Sequence, residues 1–191
     1  MFPIEEFRDT VGRLIEVLRR HSIRFQLTGG AAAMAYSDPR MTQDIDWVVE
    51  RERLVERLDD FLADVRDRRF LFSETAVRTA VARGKSFQLL DLEQSLKLDL
   101  YPHEIVPGQL DRSVDVELFA GMTVPVISRL DLTIAKLVWI SLGSHKSRRD
   151  VRWLWRDLPE PERLEAGQYV EERGLGPLLQ EVLNESDEID A

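Results

Sequence analysis

The chain predicts an α+β fold, a mixed β-sheet flanked by helices with a C-terminal helical extension, on three observations. Residues 23–50 pass from a short apolar run to a glycine pair, an alanine-rich stretch and a β-branched run. The middle of the chain holds two further pairs of alternating segments, and from Asp131 onward apolar positions recur only at helical spacing. At 191 residues the chain is long enough to bury a real core. The expected division is an α/β core over residues 1–127 and a helical region over 128–191 packed on it.

Taken in order, Ile4, Phe7, Val11, Leu14, Ile15 and Leu18 mark an amphipathic helix over residues 4–21. "IRFQLTGG" reads as a short strand ending at the glycines, and "AAAMAYS" as a helix opening behind them that Pro39 stops. "TQDIDWVVE" is a second strand. "ERLVERLDDFLADVRDRR" has the strongest 3.6-residue period in the chain and reads as one helix. "SFQLLDLEQSLKLDLYP" suggests an antiparallel hairpin, and "VELFAGMTVPVIS" another, with Gly121 at its turn. "DLTIAKLVWISLG", "RRDVRWLWRDL" and "EPERLEAGQYVEERGLGPLLQEVL" follow as helices.

Composition narrows the function. With 43% hydrophobic and 32% charged residues the chain reads as a soluble globular protein. The acidic, amphipathic N-terminus is not the pattern of a signal peptide, and no stretch has the length of uncharged apolar residues that a membrane helix needs. The absence of cysteine rules out disulfides and thiolate metal sites and fits a cytoplasmic location. A formal charge of −9 argues against a general nucleic-acid binder. The charge is uneven: five acids and no base lie in residues 181–191, whereas "HKSRRDVRWLWR" carries five bases against one acid. That basic run reads as a solvated helix face with Trp153 and Trp155 packing, and His21, His103 and His145 show no ligand spacing.

The stretch "DIDWVV" carries the chemistry. Side chains alternate on a strand, so Asp44 and Asp46 share one face while Ile45 and Trp47 take the other. Two such carboxylates repel unless a positive charge lies between them. A divalent cation answers that need, and Mg²⁺ takes one or two protein carboxylates together with substrate phosphates. Asp99, in the alternating "LKLDLYP", is a candidate third acid. Gly29 and Gly30, between strand and helix, let backbone N–H groups approach phosphate oxygens with no side chain in the way.

"LTGGAAAMAY", "RMTQDIDWVV" and "LKLDL" together resemble the nucleotidyltransferase superfamily with the DNA polymerase β type of fold. The form "GGxA…RxTxDID", with "DLTIAK" and "SRRDVRWL" behind it, is similar to the AbiEii-like branch, toxins of toxin–antitoxin and phage-defence systems. The resemblance spans residues 26–154. It implies that Asp44, Asp46 and Asp99 are catalytic and hold Mg²⁺ or Mn²⁺. It implies further that Thr28, Gly29, Gly30, Arg40, Thr42, Lys136, Arg149 and Asp150 bind the nucleotide. The implied reaction moves a nucleoside monophosphate from an NTP to a hydroxyl of RNA or protein, with an antitoxin as partner. Two positions depart from the pattern: Ala31 stands where many relatives place Ser or Thr, and Trp153 where the branch has a second Asp. Two alternatives therefore stay open, a degenerate nucleotide-binding or regulatory protein and an aminoglycoside-type small-molecule nucleotidyltransferase.

Overall fold

The computed structural model describes residues 4–36 and 44–185. Helix α1 (Ile4–Arg20) carries Glu5 and Glu6 in its first turn and Arg19 and Arg20 in its last, both suited to the helix dipole. Its Val11, Leu14, Val17 and Leu18 are wholly buried. Then come strand β1 (Phe25–Thr28), the one-turn helix α2 (Gly29–Ala33), β2 (Asp44–Val49), α3 (Arg51–Glu56), α4 (Leu58–Asp67), β3 (Phe70–Leu71) and α5 (Glu74–Ala82). Two hairpins follow, β4 (Phe87–Asp91) with β5 (Lys97–Tyr101) and β6 (Val114–Phe119) with β7 (Met122–Val126). The rest is helical: α6 (Arg129–Ser141), a 3₁₀ turn at His145–Ser147, α7 (Arg148–Arg156), α8 (Glu160–Glu172) and α9 (Gly176–Leu183).

The strands form one seven-stranded mixed sheet in the order β3-β4-β5-β2-β1-β7-β6. The parallel pairs β2/β5 and β1/β7 lie inside it and antiparallel pairs complete it. One face packs beneath α4, where Phe61 meets Phe87 edge-on at 6.4 Å. Over the other face lies α6, capped by Ser128 through its hydroxyl and the Asp131 N–H (3.1 Å). Among the described residues no helix is long and apolar enough to cross a membrane.

Four local features differ from the sequence expectation. The helix behind the glycines opens at Gly29 itself and ends at Ala33, well before Pro39, which lies outside the described residues. The long helix after β2 is broken at Arg57 (φ −112°, ψ 15°), with neither glycine nor proline to announce it. There the Arg57 N–H closes the first helix on Arg53 and the Phe61 N–H opens the second on Arg57. The final helix is two, because Gly174 adopts φ +68° and the N–H groups of Gly174 and Leu175 turn back to Glu171 and Val170. β3 and α5 fill a stretch with no clear period in the sequence.

Candidate active site

Strand register decides which side chains meet. β2 and β5 are parallel, with Asp46 beside Asp99 and Asp44 beside Lys97. β1 places Thr28 across from Asp46, and β4 places Gln88 across from Asp99 and Leu90 across from Lys97. Directly paired residues point to the same face. Two rows therefore cross the sheet: Thr28, Asp46, Asp99, Gln88, and next to it Asp44, Lys97, Leu90, Leu71. The three acids singled out in the sequence share that face. Asp46 and Asp99 are each 8% exposed.

The glycine turn abuts the acids. Gly29 has φ +67°, and a Cβ on it would lie 1.9 Å from Asp46 Oδ2, so no other residue leaves room for the carboxylate. The Gly30 N–H donates to that carboxylate. Burial, then the charges of Asp99 and Asp44, push the Asp46 carboxyl up to about 6, against the opposing pull of Lys136 and the Gly30 N–H. The Tyr101 hydroxyl donates to Asp46 Oδ1 at 3.4 Å, and burial followed by the charge of Asp46 raises its own proton affinity.

A cavity of about 420 Å³ opens over this floor. Its floor holds Thr28, Gly29, Gly30, Asp44, Asp46, Asp99 and Tyr101, and its roof comes from α6 through Leu132, Ala135, Lys136 and Trp139, with Ser144, Lys146 and Ser147 beyond. Lys136 is buried and its Nζ donates to Asp150 at 2.7 Å, so Asp150 on α7 orients the lysine from behind rather than lining the cavity. Arg149 is exposed, with its guanidinium 5.6 Å from the Trp153 ring centroid, and does not line the cavity. Arg40 and Thr42 lie outside the described residues. The basic run of residues 145–156 is partly neutralised from α9 and its end, Arg148 by Glu181 and Glu185 and Arg152 by Glu185. Asp131 is wholly buried on Arg112 (2.7 Å) and Ser128, away from the cavity.

Sequence reasoning passed over Lys97, Tyr101, Trp139, Lys146 and Ser147. The period of two in "LKLDLY" was signal enough for Lys97 and Tyr101, which share the face of Asp99. Lys146 and Ser147 reach the cavity only because the chain folds back after α6, which no local pattern announces.

Among the described residues no three acidic or histidine side chains enclose an ion-sized space by themselves. The Lys97 ammonium lies between two of the acids, 3.0 Å from Asp44 Oδ1 and 3.1 Å from Asp99 Oδ2. An all-oxygen donor set with an excess of negative charge, already drawing a cation between two members, fits a hard divalent ion.

The family model of the nucleotidyl transferase AbiEii toxin of type IV toxin–antitoxin (TA) systems matches residues 14–189. No curated protein matches the sequence. Among solved structures, the antibiotic-resistance factor ANT(2″)-Ia in solution superposes with a TM-score of 0.56 at 13% identity, over 92% of this chain and 97% of that one. An antigenic nucleotidyltransferase-like protein from Paracoccidioides brasiliensis gives 0.49 at 18% identity over 92% and 91%. The lincosamide antibiotic adenylyltransferase LnuA, lincomycin-bound, gives 0.48 at 13% identity over 75% and 93%. The first of these likenesses shows a shared fold, and the family match runs through the glycine turn, the three acids and the helices that roof them. The chain belongs to the AbiEii nucleotidyl transferase toxin family.

Proposed function

We propose that the protein transfers a nucleoside monophosphate from an NTP to a hydroxyl of a protein or RNA acceptor, dependent on Mg²⁺ or Mn²⁺. The observation that carries this reading is the contact between the Gly29 backbone and Asp46, which sets a side-chain-free turn against three carboxylates in one cavity with Lys136. Thr28, Gly29 and Gly30 would present backbone to the triphosphate. Lys136, oriented by Asp150, and Lys146 would offset phosphate charge. Asp44, Asp46 and Asp99 would hold the metal, whose chemistry is to polarise the phosphoryl oxygens and offset charge on the departing pyrophosphate. Asp99 would take the acceptor's hydroxyl proton as its oxygen bonds the α-phosphorus and the bond to pyrophosphate breaks. Arg40, Thr42 and Arg149 belong to this set by family resemblance, and an antitoxin partner is proposed on the same ground.

A second reading, a small cationic acceptor, is favoured by one feature. The open face beyond Asp99 offers Gln88, Leu90 and Leu71 rather than a run of lysine and arginine, poor ground for a phosphate backbone.

Incubation with each α-labelled NTP, Mg²⁺ or Mn²⁺ and cell extract tests both readings. Label is expected with the wild type and not with Asp46→Asn. Protease-sensitive, nuclease-sensitive or low-molecular-weight label assigns the acceptor class. The absence of label from both proteins with every NTP would leave a protein that binds nucleotide without turnover.

A further inference from the structure

Lys97 lies against two of the three acids, and the proposed chemistry leaves it without a part. Parallel register sets it beside Asp44, and a spacing of two sets it on the face of Asp99. Its Nζ contacts one oxygen of each, at 3.0 and 3.1 Å. A divalent ion held by the carboxylates of Asp44 and Asp99 would compete with the ammonium for them. The two cations therefore exclude one another.

The side chain also has somewhere to go. It is 36% exposed, and its neighbour across β4 is Leu90, itself on the open part of the sheet face, against which a four-carbon stem can lie with its charge in water. Lysine suits such a movable part, being a compact charge on a flexible chain that forms no rigid bidentate fork with a carboxylate.

We propose that Lys97 is a tethered counter-ion: it bridges Asp44 and Asp99 in the metal-free protein, is displaced when a divalent ion enters, and thereby holds the affinity for free metal low. The inference rests on the nucleotidyltransferase reading for the identity of the ion. In its consequence the site is stable while empty, and metal occupancy is weighted toward the ion that arrives with NTP, whose phosphates add ligands.

The test measures Mn²⁺ binding to the full chain without nucleotide, by the loss of the free-ion electron paramagnetic resonance signal, for wild type, Lys97→Met, Lys97→Gln and Lys97→Arg. Both neutral variants are expected to bind Mn²⁺ at least about tenfold more tightly than wild type, because removing a competing charge transfers its coupling free energy to the ion. Lys97→Arg is expected to keep the weak binding. A lysine that merely braced the strands would give the opposite sign, weaker Mn²⁺ binding on loss of the brace. Equal or weaker binding by the neutral variants overturns the inference and leaves the metal-dependent reading in place. Absence of Mn²⁺ binding from every variant, with and without NTP, overturns both. The two neutral replacements differ in polarity, so a folding failure in one leaves the other as the measurement.

Discussion

Gly29 is the position where the sequence has least freedom. A methyl group there meets the Asp46 carboxylate at 1.9 Å, and a non-glycine residue at φ +67° carries strain of about 1–3 kcal/mol. Relief must come by moving the turn or the acid, and a displacement of roughly 1 Å at a reacting centre costs about a hundredfold in rate. Gly29→Ala is therefore expected to lose about two orders of magnitude of NMP transfer while retaining its far-UV circular dichroism, and transfer within a few-fold of wild type would remove the turn from the chemistry. At this scale the sequence is informative wherever a polar residue breaks an apolar alternation. Asp44, Asp46 and Asp99 stand out against Ile45, Trp47, Leu98 and Leu100 for that reason. Lys97 obeys the same period, but a lysine at a strand start looks like ordinary surface until register shows which two acids flank it.

Elements were readable where one physical signal dominated and obscure where two competed. Hairpins with clean alternation, β4/β5 and β6/β7, occur as expected, since period two has one geometric meaning. β3 and α5 escaped notice because Phe70–Leu71 is too short to show a period, and the nine-residue α5 buries only Val77 and Val81. What ties α1 to this part of the sheet is also nonlocal. Asp91 at the end of β4 is wholly buried, accepting from the Thr10 hydroxyl, the Arg13 guanidinium and the Glu93 N–H. Burial alone would raise its proton affinity, but the bonds from Arg13 and Thr10 prevail and hold the carboxyl below its ordinary range. A carboxyl so depressed adds stability at any pH above the unfolded-state value near 4, and loses it as pH falls through the lower folded-state value. Asp91→Asn leaves Arg13 facing a neutral amide and is expected to cost on the order of 3 kcal/mol at pH 7 by urea unfolding. The gap to wild type should narrow as pH drops below about 4. A constant gap from pH 7 to pH 3 would mean that shape, not charge, is what Asp91 supplies.

On the scale of the whole molecule, the division expected between residues 127 and 128 is crossed by one hydrophobic cluster. It runs from Val11 and Leu14 of α1, through Leu27 and Trp47 of the sheet, to Leu132 and Ile134 of α6 and Val182 of α9. Nine of the thirteen residues of α6 are buried, because the helix packs against α2 as well as against α7, α8 and α9. Arg112, from the loop before β6, holds buried Asp131 of α6, so an ion pair crosses the same boundary. A helical region with so much of its apolar surface turned toward the sheet should not unfold separately. The four tryptophans make this measurable: Trp47 lies in the sheet, while Trp139, Trp153 and Trp155 lie in α6 and α7. In Trp47→Phe, fluorescence reports the helices alone, and in the triple variant Trp139→Phe, Trp153→Phe, Trp155→Phe it reports the sheet alone. Within each variant the urea midpoint by fluorescence is expected to match that by far-UV circular dichroism, as a single cooperative transition requires. If instead the helical reporters melt at lower urea than the sheet reporter, the roof of the cavity opens independently of its floor. Lys136 and Lys146 would then be delivered to the carboxylates by a conformational step and not held over them by the fold.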